Sequence, residues 1–118
     1  MSQCQSCHST LSVTRLHCEA CDISLEGRFG TPRLSRLGPE DQRLVEAFVL
    51  SGGNLKSLAE ELGLSYPTVR KRIDALIDAL RDLKANDEKQ AQLWLQEVES
   101  GALRAEAAAR LMRETAYG

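Results

Sequence analysis

The sequence predicts a mainly α-helical chain headed by a small cysteine-bearing β hairpin. Three observations carry that expectation. Two CxxC pairs, Cys4-Gln5-Ser6-Cys7 and Cys18-Glu19-Ala20-Cys21, stand ten residues apart near the N-terminus. From Pro39 onward, apolar residues recur at helical spacing in runs separated by turn-forming residues. Between two of those runs lies Gly63-Leu64-Ser65, a turn suited to two helices meeting at an angle. The expected division is a cysteine module over 1–27, an arginine-rich linker over 28–38, a trihelical domain over 39–85 and a C-terminal helical hairpin over 86–118.

Length and composition set the bounds. A chain of 118 residues suits one domain or a few very small ones. No apolar run approaches the roughly 20 residues that span a bilayer. The opening MSQCQSC has neither a basic segment nor an apolar one, so no signal peptide is expected and the cytoplasm is the expected location. In a reducing compartment four cysteines serve better as metal ligands than as disulfides. The formal net charge is −2, against the basic balance usual for nucleic-acid binders. Over residues 39–85 seven Lys/Arg stand against eight Asp/Glu, so any nucleic-acid contact there must rest on a local patch and be salt-sensitive.

Taken in order, residues 1–27 carry the strongest chemical signal. Each CxxC pair lets two thiolates reach one ion, and two such knuckles can close a tetrahedral site on Cys4, Cys7, Cys18 and Cys21. The stretch from Ser9 to His17 alternates Leu11, Val13 and Leu16 with polar residues, which predicts a short hairpin between the knuckles and a zinc-ribbon layout. The expectation is one structural zinc ion, whose binding supplies the folding free energy that so small a core cannot. A redox pair is the weaker reading, because no thioredoxin-like βαβ pattern accompanies the cysteines. A catalytic zinc keeps an open position, and four cysteines leave none. His8 and His17 adjoin knuckle cysteines and are read as surface residues or as neighbours of the ligands.

The linker EGRFGTPRLSRLG breaks regular structure at Gly27, Gly30, Pro32 and Gly38. Arg28, Arg33 and Arg36 follow one another with no acid between them. They read either as a solvated connector or as an arm lying along phosphates.

Pro39 to Leu50 predicts a helix with Pro in its first turn, Glu40 and Asp41 at its positive end, and Leu44, Val45, Phe48 and Val49 as its buried stripe. Ser51-Gly52-Gly53 ends it. Asn54 caps a second helix, with Ala59 as the small residue at the crossing. Gly63 supplies the turn, Leu64 the apolar plug, and Ser65 the cap of a third helix in which Pro67 is tolerated in the first turn. Val69, Ile73, Leu76, Ile77 and Leu80 share one stripe of that helix. Lys71 lies opposite the stripe, Arg70 and Arg72 flank it, and Thr68 sits near the exposed N-terminal edge. This is a helix-turn-helix without a wing, and the N-terminal part of its second helix is the part that enters a DNA major groove. Thr68, Arg70, Lys71 and Arg72 are therefore the candidate DNA contacts, with Arg28, Arg33 and Arg36 as auxiliary ones. A basic triplet is also what a solvated helix face looks like; the turn chemistry around it favours DNA.

The run LAEELGLSYPTVRKRI resembles helix-turn-helix domains of the response-regulator effector type and region 4 of bacterial sigma factors. Residues 1–82 as a whole resemble a family of bacterial proteins, a domain of unknown function, that joins an N-terminal zinc ribbon to a sigma-region-4-like domain. The carriers are the four cysteines, then EGRF, PRLSRLGPE and GNLKSLAEELGLSYPTVRKRIDALI. The resemblance implies a fold and a regulatory role, and it names no partner.

In the tail, Asn86-Asp87 predicts a break, Glu88 to Ser100 a helix with Ala91, Trp94, Leu95 and Val98 on one face, Gly101 a stop, and Arg104 to Glu114 a last helix striped by Ala107, Ala108, Leu111 and Met112. LQEVESGALRAEAAARLM resembles a short helical hairpin found at the ends of bacterial regulatory proteins, usually with Ser or Thr where Arg104 stands. This hairpin can pack on the trihelical core or pair with a second copy to make a homodimer.

Two functions follow. One is a DNA-binding transcriptional regulator; the alternative is a protein-binding adaptor acting on RNA polymerase or another regulatory protein without touching DNA. An enzyme is not expected: there is no phosphate-cradling glycine loop, and no nucleophile lies near a histidine outside the knuckles.

Overall fold

A computed structural model describes residues 3–117, with side chains described as far as residue 114. Among the described residues there are two strands and four α-helices: β1 (Val13–His17), β2 (Ser24–Phe29), α1 (Pro39–Leu50), α2 (Leu55–Leu62), α3 (Tyr66–Glu99) and α4 (Ala105–Tyr117), with a 3-10 turn at Arg33–Arg36. The chain forms two compact units. One is Leu37–Ala85; the other combines Met1–Arg36 with Asn86–Gly118. None of the described helices is long and apolar enough to cross a membrane.

In the unit 37–85, the buried residues Leu37, Leu58, Ala59, Val69, Ile73 and Leu76 form the core, with Leu44, Val45, Ala47, Phe48, Leu64 and Leu80 packed against it. Pro39 opens α1 behind Gly38, where the missing N–H costs nothing. The helix stops where Gly52 and Gly53 adopt φ of 71° and 78° and return their N–H groups to Val49 and Phe48. The expected α1 stripe needs one correction. Val49 is 66% exposed, and Ala47 takes the inward place beside Phe48. Ile77 likewise lies at the exposed edge of its stripe.

Asn54 caps α2, its Oδ1 accepting the N–H of Lys56 at 2.9 Å and of Ser57 at 3.2 Å. Gly63 ends α2 in the left-handed conformation, and the Leu64 N–H returns to the Ala59 carbonyl at 3.0 Å. Ser65 opens α3: its hydroxyl accepts the N–H of Thr68 and shares a 2.8 Å hydrogen bond with the Thr68 hydroxyl. Ala59 is buried at the crossing and Val69 is fully buried. Each helix-turn-helix residue therefore occupies the place its chemistry requires.

The second unit departs further from expectation. The hairpin does not lie between the knuckles. β1 pairs antiparallel with β2, which follows the second knuckle, in the register Val13↔Phe29, Arg15↔Glu26, Leu16↔Leu25 and His17↔Ser24. The register shifts between Val13 and Arg15, so Gly27 and Arg28 together oppose Thr14 in a bulge. β2 runs two residues past the expected start of the linker, which makes Arg28 a strand residue.

The expected break at Asn86-Asp87 is absent, and α3 runs unbroken for 34 residues. An Asn-Asp pair favours a turn when its side chains are free to bind nearby backbone N–H groups. Here both Asp87 oxygens are taken by Arg36 and Arg33, and no Gly or Pro lies between Pro67 and Gly101. The chain turns instead at Gly101, φ 83°. Ala108 then donates back to the Arg104 carbonyl, and α4 lies against the 3-10 turn. Ala107, Ala108, Leu111 and Met112 are its less exposed face, as expected; Leu95 of α3 is exposed, unlike Ala91, Trp94 and Val98.

Candidate metal centre and nucleic-acid interface

The two cysteine knuckles are built alike. In the first, Cys4 N–H donates to the Ser9 carbonyl at 2.8 Å and His8 N–H to the Cys4 carbonyl at 2.9 Å. In the second, Cys18 donates to Ile23 and Asp22 to Cys18, each at 2.8 Å. The fifth residue of each, His8 or Asp22, has φ 61°. His and Asp are among the few non-glycine residues that enter that region readily. The turn aims backbone N–H groups at sulfur: Ser6 donates to Cys4 Sγ at 3.4 Å. The Cys7 thiol is held below the ordinary range by the Ser9 hydroxyl, the Ser9 N–H and the Cys4 thiol. Cys18 is lowered by the Cys21 N–H, the Cys21 thiol and the Ala20 N–H.

The donor set fits zinc: four soft thiolates, paired on matching turns, with N–H groups placed to stabilise their charge. Cys4 is half-buried and the other three are exposed. Among the described residues no three ligand-type side chains gather at one point. Each knuckle pairs its own two sulfurs, Cys4 with Cys7 and Cys18 with Cys21, as the two halves of the expected four-cysteine set. An ion joining the halves is the usual way such a site acquires its folding free energy.

His17 braces the second knuckle. Its Nδ1 lies 2.8 Å from Ser24 Oγ and its Nε2 3.0 Å from Asp22 Oδ1, while Arg15 donates to the same Ser24 oxygen at 3.0 Å. Both ring nitrogens are thus engaged away from the cysteines.

On α3, Arg70, Lys71 and Arg72 are all exposed within the first two turns. Arg70 Nε pairs with Asp74 Oδ1 at 3.4 Å, and both side chains remain 55% exposed. No ion pair engages Lys71 or Arg72 among the described residues. The Thr68 hydroxyl serves the Ser65 cap, so its role there is structural before it is recognitional. Arg28 is exposed on β2. Arg33 and Arg36, the other two residues of the expected phosphate arm, are both turned onto Asp87, with side chains 26% and 15% exposed. The sequence reading missed Tyr66, an exposed aromatic at the first position of α3. The signal available was an aromatic directly before Pro67 at the head of the recognition helix.

Comparison with known families now bears on this arrangement. Residues 4–35 match the DUF2089 zinc ribbon, and residues 37–82 match the helix-turn-helix region described as "Domain of unknown function (DUF2089)-HTH". The chain belongs to the DUF2089 family. The second match begins at Leu37, the buried residue that begins the trihelical unit. The DUF2089 ribbon spans both knuckles, both strands and the first three residues of the 3-10 turn. Neither a curated protein nor a solved structure matches the chain.

Proposed function

We propose that this DUF2089 protein is a DNA-binding transcriptional regulator. Its α2–α3 pair docks in the major groove, and one structural zinc ion is held by Cys4, Cys7, Cys18 and Cys21. The observation that carries the reading is the exposed basic face formed by Arg70, Lys71 and Arg72 on the leading turns of a helix whose turn, cap and anchor are those of a helix-turn-helix. Beyond those turns the outward positions become Asp74 and Asp78, so only the N-terminal part of α3 suits DNA. Thr68 borders this face and Arg28 adds a phosphate contact. The likeness of LAEELGLSYPTVRKRI to promoter-reading domains supports the same reading. We propose a cytoplasmic, non-enzymatic protein in which 86–118 can also pair two copies. The test is a salt titration of zinc-loaded protein on selected genomic fragments. A common motif with affinity falling steeply in salt supports regulation through DNA; no enrichment at physiological salt removes it.

One observation favours a second reading, a protein adaptor. Leu16 and Leu25 face each other across the hairpin at 49% and 60% exposure, with Ile23 also exposed. Apolar side chains left in solvent suit a protein partner such as RNA polymerase. Co-purification of that partner, with no DNA enriched, is the outcome this reading requires.

A further inference from the structure

Tyr66 is 51% exposed at the first position of α3. Phe29, Phe48 and Trp94 are all partly buried, so Tyr66 is the one Phe, Tyr or Trp ring left in solvent among the described side chains. It lies outside the core cluster. The exposed Pro67 follows it. On a helix, residues four apart share a face, so Tyr66 stands in line with Arg70 and Pro67 in line with Lys71. Each apolar residue of the leading turn has a cation one turn behind it. That order matches the major groove, whose rim is phosphate and whose floor has one apolar feature, the C5-methyl group of thymine.

We propose that Tyr66, flanked by Pro67, reads thymine through its C5-methyl group, while Lys71 and Arg72 hold the phosphates that set the register. The inference rests on the DNA-binding reading above and names the base that reading leaves open. A tyrosine ring gains by covering a methyl group, whereas a cytosine carries only hydrogen at C5 and leaves the ring nothing there to cover.

The test uses the full zinc-loaded chain and a duplex chosen by repeated selection. Thymines are replaced one at a time by deoxyuridine, which removes the methyl group and keeps every hydrogen-bonding group. The expected result is a loss of about fourfold in affinity at one or two positions, the transfer value of a single buried methyl. Tyr66→Ala should weaken binding to the thymine duplex and become indifferent to uracil at those positions, and Tyr66→Phe should behave as the parent. The proposal is overturned if no thymine position is sensitive in the parent, or if Tyr66→Ala keeps the same uracil sensitivity. Failure of the parent to bind any DNA overturns the DNA-binding reading itself; binding that ignores uracil overturns only the role of Tyr66.

Discussion

Arg36 grips Asp87 with both prongs of its guanidinium, Nη1 to Oδ1 at 2.9 Å and Nη2 to Oδ2. Arg33 Nε adds a third hydrogen bond to Oδ2 at 3.0 Å. Asp87 lies on the α3 stripe that also carries Leu80, Leu83, Ala91, Trp94 and Val98, and it is the charged member of that stripe. Its side chain is only 11% exposed. Paired in this way, the carboxylate is an anchor; unpaired, it would be a liability in the middle of a long helix.

Truncating one partner leaves the other half-buried and uncompensated, so Asp87→Ala should destabilise by about 1–3 kcal/mol. Arg36→Lys should lose much of the same stability although the charge is kept, because an ammonium cannot reproduce the planar fork. Urea melts at neutral pH measure both. An Asp87→Ala melt that overlays the parent's would show the clasp to be ornamental.

Acid should undo the same contact. Burial alone pushes the Asp87 carboxyl up, but the hydrogen bonds and charges of Arg36 and Arg33 together outweigh it and hold the group below its ordinary 3.8. With the folded value depressed, the stabilisation is fully present above the unfolded value and is lost as pH falls through the folded one. The stability gap between parent and Asp87→Asn should therefore be constant near neutrality and shrink below pH 3.8. A gap that widens on acidification would contradict this sign.

Metal removal should act on the ribbon. Zinc measured against protein should come to about one ion per chain, the count a four-thiolate site allows. Cys18→Ser should weaken that binding steeply by leaving a three-sulfur set. Chelation should disturb the hairpin, whose Leu16 and Leu25 are exposed and build no core of their own. Residues 37–85 have their own buried cluster, so most of the helical circular dichroism should survive. Two ions per chain would mean that each knuckle binds separately.

Gly63 isolates a backbone effect. A Cβ there meets nothing within 4 Å, yet φ is +66°. Gly63→Ala should cost about 1–2 kcal/mol through conformation alone, and Gly63→Asn less, because Asn tolerates this region. Equal melts for the two variants would mean that the turn relaxes.

Much of this was legible in the sequence, and the limits have physical causes. Ala59, Gly63, Leu64, Ser65 and Val69 announce the helix-turn-helix because each does a local job that its own chemistry reveals. The hairpin's place is not legible there, because alternation in Ser9 to His17 marks a strand without marking its partner, and β2 lies beyond the second knuckle. Asn86-Asp87 looks like a break in the sequence, and Arg33 and Arg36 look like unpaired cations, for one shared reason. Their contact joins residues 51 and 54 positions apart, and neither segment betrays it alone. The sequence places Tyr66 directly before Pro67, and its exposure becomes visible only in the folded chain.

The remaining prediction separates the recognition helix from the fold. Lys71 and Arg72 are exposed and outside the core cluster, so replacing either by Ala should shift stability by no more than about 0.5 kcal/mol. Each substitution should weaken DNA binding on all sequences to a similar degree. Each should also reduce the slope of log affinity against log salt by about one, the signature of a lost phosphate contact. Arg70 should behave differently. Its Nε is paired with Asp74 while the side chain stays 55% exposed, and a guanidinium can fork onto a guanine edge, so Arg70→Ala should relax sequence preference as well as affinity. If all three variants melt early, the basic face belongs to the fold; if all three melt normally and bind as the parent does, DNA contacts another surface.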